Sequence, residues 1–308
     1  MPEPKIKVLY IAGFERSGST ILNRVLGQID GFVAWGELRD IWQHGAIENR
    51  RCSCGALFDE CPAWTAIVET AFGAMEQSEI RGMVELLQKT RASVLPHYFG
   101  LSRQPFANQT TKKYLANLTR LYQAIQATTK SRVIVDSTKA SWYGYALSML
   151  PTLELYIVHI VRDPRGVCYS LQRRKNKGEP FSQWYNPVHA SLSWSLKNYA
   201  SEMLLNRFPE RYLRISYEEF IRQPKPVIES ILALLDEEVA ELPFQNDSTV
   251  NMGTDHIFAG SPSIRSKTGA VELNLDERWK QQMKPMDKTA VKSLTLPLLA
   301  RYGYLTKT

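Results

Sequence analysis

Residues Gly13-Phe14-Glu15-Arg16-Ser17-Gly18-Ser19-Thr20 lie between an apolar run, Val8-Leu9-Tyr10-Ile11-Ala12, and a helical pattern of Ile21, Leu22, Val25 and Leu26. This order reads as a strand, a tight turn and a helix N-terminus. Such a turn aims several backbone N–H groups at one point, and the helix dipole adds partial positive charge there, so an anion is the expected occupant. A Walker A loop would read GxxxxGK[ST]; here the spacing of Gly13 and Gly18 is kept, but Ser19 stands where the lysine belongs. Arg16 is the only cation within the loop.

A strand entering a helix this way demands company. Further β-rich runs occur at Arg132–Asp136, Leu155–Val161 and Tyr212–Ile215, each followed by a helical pattern. The alternation predicts an α/β fold with a central parallel sheet flanked by helices, and ligands at the C-terminal ends of its strands. A long insertion, about 37–130, carries helical patterns near Trp64–Met75, Glu79–Arg91 and Lys112–Thr129, with Pro96 and Pro105 expected to break the last two. Polar stretches follow at 176–187, between two helices, and at about 243–273, where periodicity is weak and a covering loop is expected. At 308 residues the chain reads as one domain, 1–308, bearing these insertions.

Composition narrows the function classes. A net charge of +7 is compatible with a nucleic acid, an anionic surface or a small polyanion. The bases are scattered, however, apart from Arg173, Arg174, Lys175 and Lys177, and no aromatic-interleaved basic stripe is present, so no nucleic-acid partner is expected. The longest apolar stretch, near Leu153–Val161, falls short of the roughly 20 residues of a membrane helix. With no secretory signal, the chain reads as cytoplasmic and without a membrane partner. Its oligomeric state is not legible.

Cys52, Cys54 and Cys61 cluster in sequence, while Cys168 stands apart. The C-x-C spacing and the lack of a nearby fourth ligand other than His44 favour a compact loop of free or paired thiols, with no metal. Of the histidines, His159 lies within an apolar strand and reads as a satisfied core residue.

Two other segments carry chemistry. In Val161-Arg162-Asp163-Pro164-Arg165-Gly166-Val167-Cys168-Tyr169-Ser170, an arginine at a strand end and a serine two turns into the next helix can reach one phosphate, which suggests a second anion site. The plain alternative is a surface Arg162–Asp163 pair at a helix start. Arg265-Ser266-Lys267-Thr268-Gly269 is basic and glycine-bounded within the covering loop.

Taken together, "FERSGST", "VRDPRGVCYS", "RISYEEF" and "IRSKTG" followed by Asp276-Glu277-Arg278-Trp279 resemble the sulfotransferases that use 3′-phosphoadenosine 5′-phosphosulfate (PAPS) and release 3′-phosphoadenosine 5′-phosphate (PAP). The likeness runs in order along nearly the whole chain, and the "RCSCG…CPAW" insert is similar to bacterial members. It implies that Gly13, Arg16, Ser17, Gly18, Ser19 and Thr20 hold the 5′-phosphosulfate. Arg162 and Ser170 would hold the 3′-phosphate, with Arg265, Lys267 and Gly269 closing over it, and Tyr217 would contact the nucleotide.

The arginine in the first loop resembles the tyrosylprotein and carbohydrate branch, since the better-known cytosolic branch has a lysine there. Arginine stays charged at any working pH and suits a clamp on developing charge. No histidine occurs in Asp136-Ser137-Thr138-Lys139-Ala140, where the cytosolic branch finds its base, so the resemblance moves that role to Glu37. Lys139 would steady the transferring group, and Arg39 and Ser137 would stand with Glu37 beside a small-molecule acceptor bearing a hydroxyl or amine. Trp35, Trp42, Tyr98, Phe99, Trp184 and Tyr185 offer aromatic surface in the surrounding segments. The rival readings are a P-loop kinase, in which Asp136 would serve Mg²⁺, and a nucleotide-binding module without chemistry.

Overall fold

The computed structural model describes residues 4–102, 108–175 and 185–305. Pro105, Lys177 and Trp184, and the side chains of Arg174 and Lys175, lie outside the described residues.

The chain opens with β1 (Ile6–Gly13), α1 (Ser19–Leu26) and β2 (Phe32–Gly36). A 3₁₀ turn (Leu38–Asp40) and a π-helical turn (Ile41–Ile47) follow, then α2 (Pro62–Phe72), α3 (Gln77–Tyr98) and α4 (Gln109–Thr129). Next come β3 (Val133–Lys139), α5 (Ser141–Leu147), β4 (Leu153–Val161), α6 (Pro164–Lys175), α7 (Pro187–Leu205) and β5 (Tyr212–Ser216). The remainder comprises α8 (Tyr217–Arg222), α9 (Pro224–Leu235), β6 (Thr249–Met252), α10 (Pro262–Arg265), β7 (Gly269–Glu272), α11 (Trp279–Gln282) and α12 (Pro285–Arg301).

Five strands form one parallel sheet in the order β2-β3-β1-β4-β5, as the alternation of strands and helices predicts. Because successive side chains point to opposite faces, β1 feeds two cores. Val8, Tyr10 and Ala12 enter the layer built with α2, α4 and α5, whereas Leu9 and Ile11 pack with α1, α8 and α9. Both faces being covered explains why the strand is a continuous apolar run rather than an alternating one.

Two expectations change. Pro96 lies inside α3 instead of ending it, because one missing N–H in the last turn removes a single bond while the helix still packs Val94 and Tyr98 into the core. The stretch 243–273 is not wholly irregular, since β6 and β7 pair antiparallel within it.

The sheet breaks regularity where the chemistry is expected. Between Tyr10↔Asp136 and Ala12↔Lys139 the register gains a residue on β3, and between Ala34↔Val135 and Gly36↔Asp136 it gains one on β2. Bulges of this kind turn the strand end and re-aim the side chains that follow.

Candidate active site

The turn after β1 is held open by its glycines. At Gly18 φ is +91°, and an added Cβ would lie 2.5 Å from the ring of Tyr217, so no side chain fits between loop and ring. Arg16 adopts φ 66° and Lys139 φ 69°, left-handed conformations that cost an ordinary residue roughly 1–2 kcal/mol. Both residues stand where β1 and β3 end, the edge at which ligands are expected.

Within the loop the hydroxyl of Ser17 is fully buried and has no hydrogen-bond partner. An orphaned buried donor beside the N-terminus of α1 suits an anion that would accept from it. Thr20 Oγ1 is already engaged, accepting from the Ser261 N–H at 3.2 Å, and Ser19 opens α1 as a buried residue.

Arg16 reaches out of the loop, donating from Nε to Ser170 Oγ at 3.0 Å and from Nη1 to Ser261 Oγ at 3.3 Å. Arg162 lies behind it. Its guanidinium donates to the Arg16 carbonyl at 3.0 Å and to the Asp276 carbonyl at 2.9 Å, and stacks 4.4 Å from the centroid of Tyr217. The bond to the Arg16 carbonyl helps fix the strained loop, while Trp194 Nε1 donates to the Arg162 carbonyl from α7. Asp163 pairs with Arg165, not with Arg162, so the surface-pair alternative does not hold.

A second group assembles at the ends of the next two strands, β3 and β2. Lys139, level with Ala12 in the sheet, places Nζ 2.5 Å from Glu37 Oε1 and 3.1 Å from the Ser137 carbonyl. Glu37 follows Gly36 directly, so the carboxylate and the phosphate-type loop stand at the same edge of the sheet. Arg39 is turned to Asp40 through a two-pronged pair at 2.8 and 2.9 Å. Burial alone would raise the Asp40 carboxyl, but this pair outweighs it and holds the group below its usual range.

Asp136 is buried and fully used. Tyr122 donates to one oxygen at 2.7 Å, Thr138 N–H and Oγ1 donate to the other, and burial still pushes its carboxyl up to about 6. Enclosed in this way it offers no face to a metal–nucleotide complex, which removes the carboxylate that the kinase reading needs. His159 is the expected core residue, bonded to Tyr212 and Asn198 and lowered to about 4 by burial.

The basic loop departs from expectation. Arg265 gives Nη1 to the carbonyls of Phe258 and Arg51, Lys267 and Gly269 are exposed, and among the described residues no hydrogen bond or ion pair joins the three to Arg162 or Ser170. Ser261 and Asp276 occupy the neighbouring positions instead. Asp276 stands in a segment that the sequence flags, whereas Ser261 carries no local signal. Trp35, Trp42, Tyr98 and Tyr185 are buried, which leaves Phe99 as the exposed aromatic of the expected acceptor surface among the described residues.

No described helix is long and apolar enough to cross a membrane. The model of the sulfotransferase family matches residues 9–241. No curated protein matches the sequence. Among solved structures, the sulfotransferase domain of the Synechococcus PCC 7002 olefin synthase is similar at 18% identity, covering 96% of this chain and 95% of that one with a TM-score of 0.54. A sulfotransferase from Alicyclobacillus acidocaldarius is 14% identical over 99% of this chain and 96% of its own, with a TM-score of 0.45. The likeness to the olefin synthase domain bears on the fold, and the family match takes in the Gly13–Thr20 loop, Glu37, Lys139, Arg162, Ser170 and Tyr217 but ends before the 253–276 segment. The chain belongs to the sulfotransferase family.

Proposed function

We propose that the protein, acting as one domain, transfers a sulfuryl group from PAPS to a hydroxyl or amine of a small-molecule acceptor, a natural product or a carbohydrate, and releases PAP. The observation that carries this reading is the sheet register: it sets an anion-ready loop with an orphaned Ser17 hydroxyl level with Lys139, and Glu37 one strand further on.

The donor supplies an activated sulfuryl group with PAP as leaving group. The loop N–H groups and Ser17, Ser19 and Thr20 would hold its 5′ end, Arg162 and Ser170 its 3′-phosphate, and Tyr217 its nucleoside. Arg16 bridges the two anion positions through its bond to Ser170, and its fixed charge suits an oxygen gaining negative charge. Glu37 accepts the acceptor proton. Lys139 holds the carboxylate in place and carries positive charge to the side of the site where the sulfuryl group would pass. Arg39 and Ser137 border the acceptor side, and Arg265, Lys267 and Gly269 belong to a segment that would have to move to reach the nucleotide.

Calorimetric titration of PAP against 5′-AMP tests the donor assignment. PAP should bind at least about tenfold more tightly, and the difference should shrink in Arg162→Ala, since a buried charged hydrogen bond contributes roughly 1.5–3 kcal/mol. Equal affinities for the two nucleotides in the wild type would contradict the assignment.

A further inference from the structure

The cysteine loop gains a partner that its own neighbourhood does not supply. His44 turns to Glu48, with Nδ1 3.0 Å from the carboxylate. The imidazole beside the thiols is that of His256, 195 positions beyond Cys61. Cys61 Sγ lies 3.2 Å from His256 Nδ1, and 3.7 Å from each of the sulfurs of Cys52 and Cys54. Cys52 Sγ is 3.9 Å from the same nitrogen, and all four donor atoms lie within 4.8 Å of one another.

These separations are far too long for a disulfide, whose S–S bond is about 2.05 Å. The four separations between 3.2 and 3.9 Å fit edges of a small tetrahedron. With Zn–S near 2.3 Å and Zn–N near 2.0 Å, ideal tetrahedral angles put sulfurs about 3.8 Å apart and a sulfur and nitrogen about 3.5 Å apart. We infer that Cys52, Cys54, Cys61 and His256 Nδ1 form a closed Zn²⁺ site. Three thiolates and one imidazole at tetrahedral spacing select zinc over harder cations, and four protein ligands leave no position for substrate. On binding, the three thiols release their protons to solvent. The resulting net charge of minus one is offset nearby by Arg265, whose guanidinium lies on the Arg51 carbonyl.

The surrounding bonds are those of an organised shell. Ser53, between two of the cysteines, donates its N–H to the Ile257 carbonyl at 2.8 Å and its hydroxyl to the Asp255 carbonyl at 2.7 Å, while accepting from the Ile257 N–H at 2.9 Å. Trp64 Nε1 donates to the His256 carbonyl at 2.7 Å. The metal would thus fasten the segment carrying Ser261, which touches Arg16 and Thr20, to the helical insertion. The site is structural and stands independently of which donor the enzyme uses.

The test uses the full chain, purified without a chelator or polyhistidine tag. Elemental analysis should find about one zinc per chain, and cobalt titrated into reduced, metal-stripped protein should give the visible bands of a tetrahedral thiolate complex. Cys54→Ser, at a partly exposed position, should alter that spectrum and lower zinc retention at least tenfold against a colorimetric chelator. Proteolysis within 253–267 should accelerate on metal removal. If reduced, folded wild-type protein takes up neither zinc nor cobalt, the inference is wrong; a Cys54–Cys61 disulfide in protein purified without oxidant would overturn it equally. The wild-type spectrum decides the matter even if the variant fails to fold.

Discussion

The two walls of the site are built in opposite ways. The sheet wall draws its loop from eight consecutive residues, Gly13–Thr20, and its Lys139–Glu37 ion pair from strand ends that the register brings together. The covering wall joins residues 51–64 to residues 253–267 through Ser53, Trp64 and the thiol–imidazole cluster, and anchors them to α1 through Arg24. Arg24 is 1% exposed, pairs with Asp255, and donates to the carbonyls of Ile264 and Lys267 at 2.6 Å. The sheet wall is therefore built from local sequence and strand register, and the covering wall from long-range contacts between residues about 200 or more positions apart.

On that division, changes to Glu37 and Arg16 alter turnover and leave stability nearly intact. Glu37→Gln should lower kcat by roughly 10²–10⁴ without weakening PAP binding, as separate kinetic and calorimetric measurements would show. Arg16→Ala should cost roughly 10²–10³ in kcat. Because Arg16 also bonds Ser170, a modest loss of PAP affinity should accompany it.

Changes to the covering wall should do the reverse. Asp255→Asn leaves the buried Arg24 charge without its partner and should destabilise the fold by about 3 kcal/mol, read as a lower urea midpoint. It should also expose 253–267 to protease. An unchanged midpoint would place the fastening elsewhere.

The sheet wall has its own pH signature. Folded Asp136 keeps its proton up to about 6, whereas an unfolded aspartate loses it near 3.9, so its ionisation weakens the fold as pH rises through that window, by roughly 3 kcal/mol in all. His159 acts in the opposite sense. Folded, it stays neutral down to about 4, so its contribution is complete above the unfolded value near 6.5 and is lost, again by roughly 3 kcal/mol, as pH falls towards 4. The two slopes should largely cancel in the wild type between about pH 4 and 6. Asp136→Asn should leave stability rising with pH there, and His159→Gln should leave it falling; parallel slopes in the two variants would refute the assignment. The smallest effect is expected where the walls meet. Ser261→Ala removes one hydrogen bond to Arg16, worth about 1 kcal/mol, or about fivefold in kcat/KM.

This contrast also explains what the sequence discloses. The parallel sheet is legible because its strands are buried on both faces and bounded by helical patterns, and the loop because its glycines, serines and arginine are contiguous. Lys139 and Glu37 could be named, but their 2.5 Å contact depends on two bulges that no local pattern announces. The contacts of His256 with the thiols and of Ser261 with Arg16 are invisible for a different reason: each joins residues about 200 or more positions apart, through a segment with little periodicity of its own. The bases of the 265–269 loop were legible as charge, yet their direction was not, because the carbonyls of Phe258 and Arg51 claim Arg265. Pro96 shows the same limit on a smaller scale, since packing of α3 overrides a helix-breaking residue near its end.

One measurement bears most directly on the central claim: transfer of labelled sulfuryl from PAPS onto a panel of small hydroxyl and amine acceptors, without added Mg²⁺. Omitting Mg²⁺ is cleaner than adding a chelator, which would also strip the proposed zinc site. Labelled acceptor with stoichiometric release of PAP is the predicted result. Tight binding of PAPS with the label remaining on the donor across the whole panel would contradict the account, and would leave a nucleotide-binding module in its place.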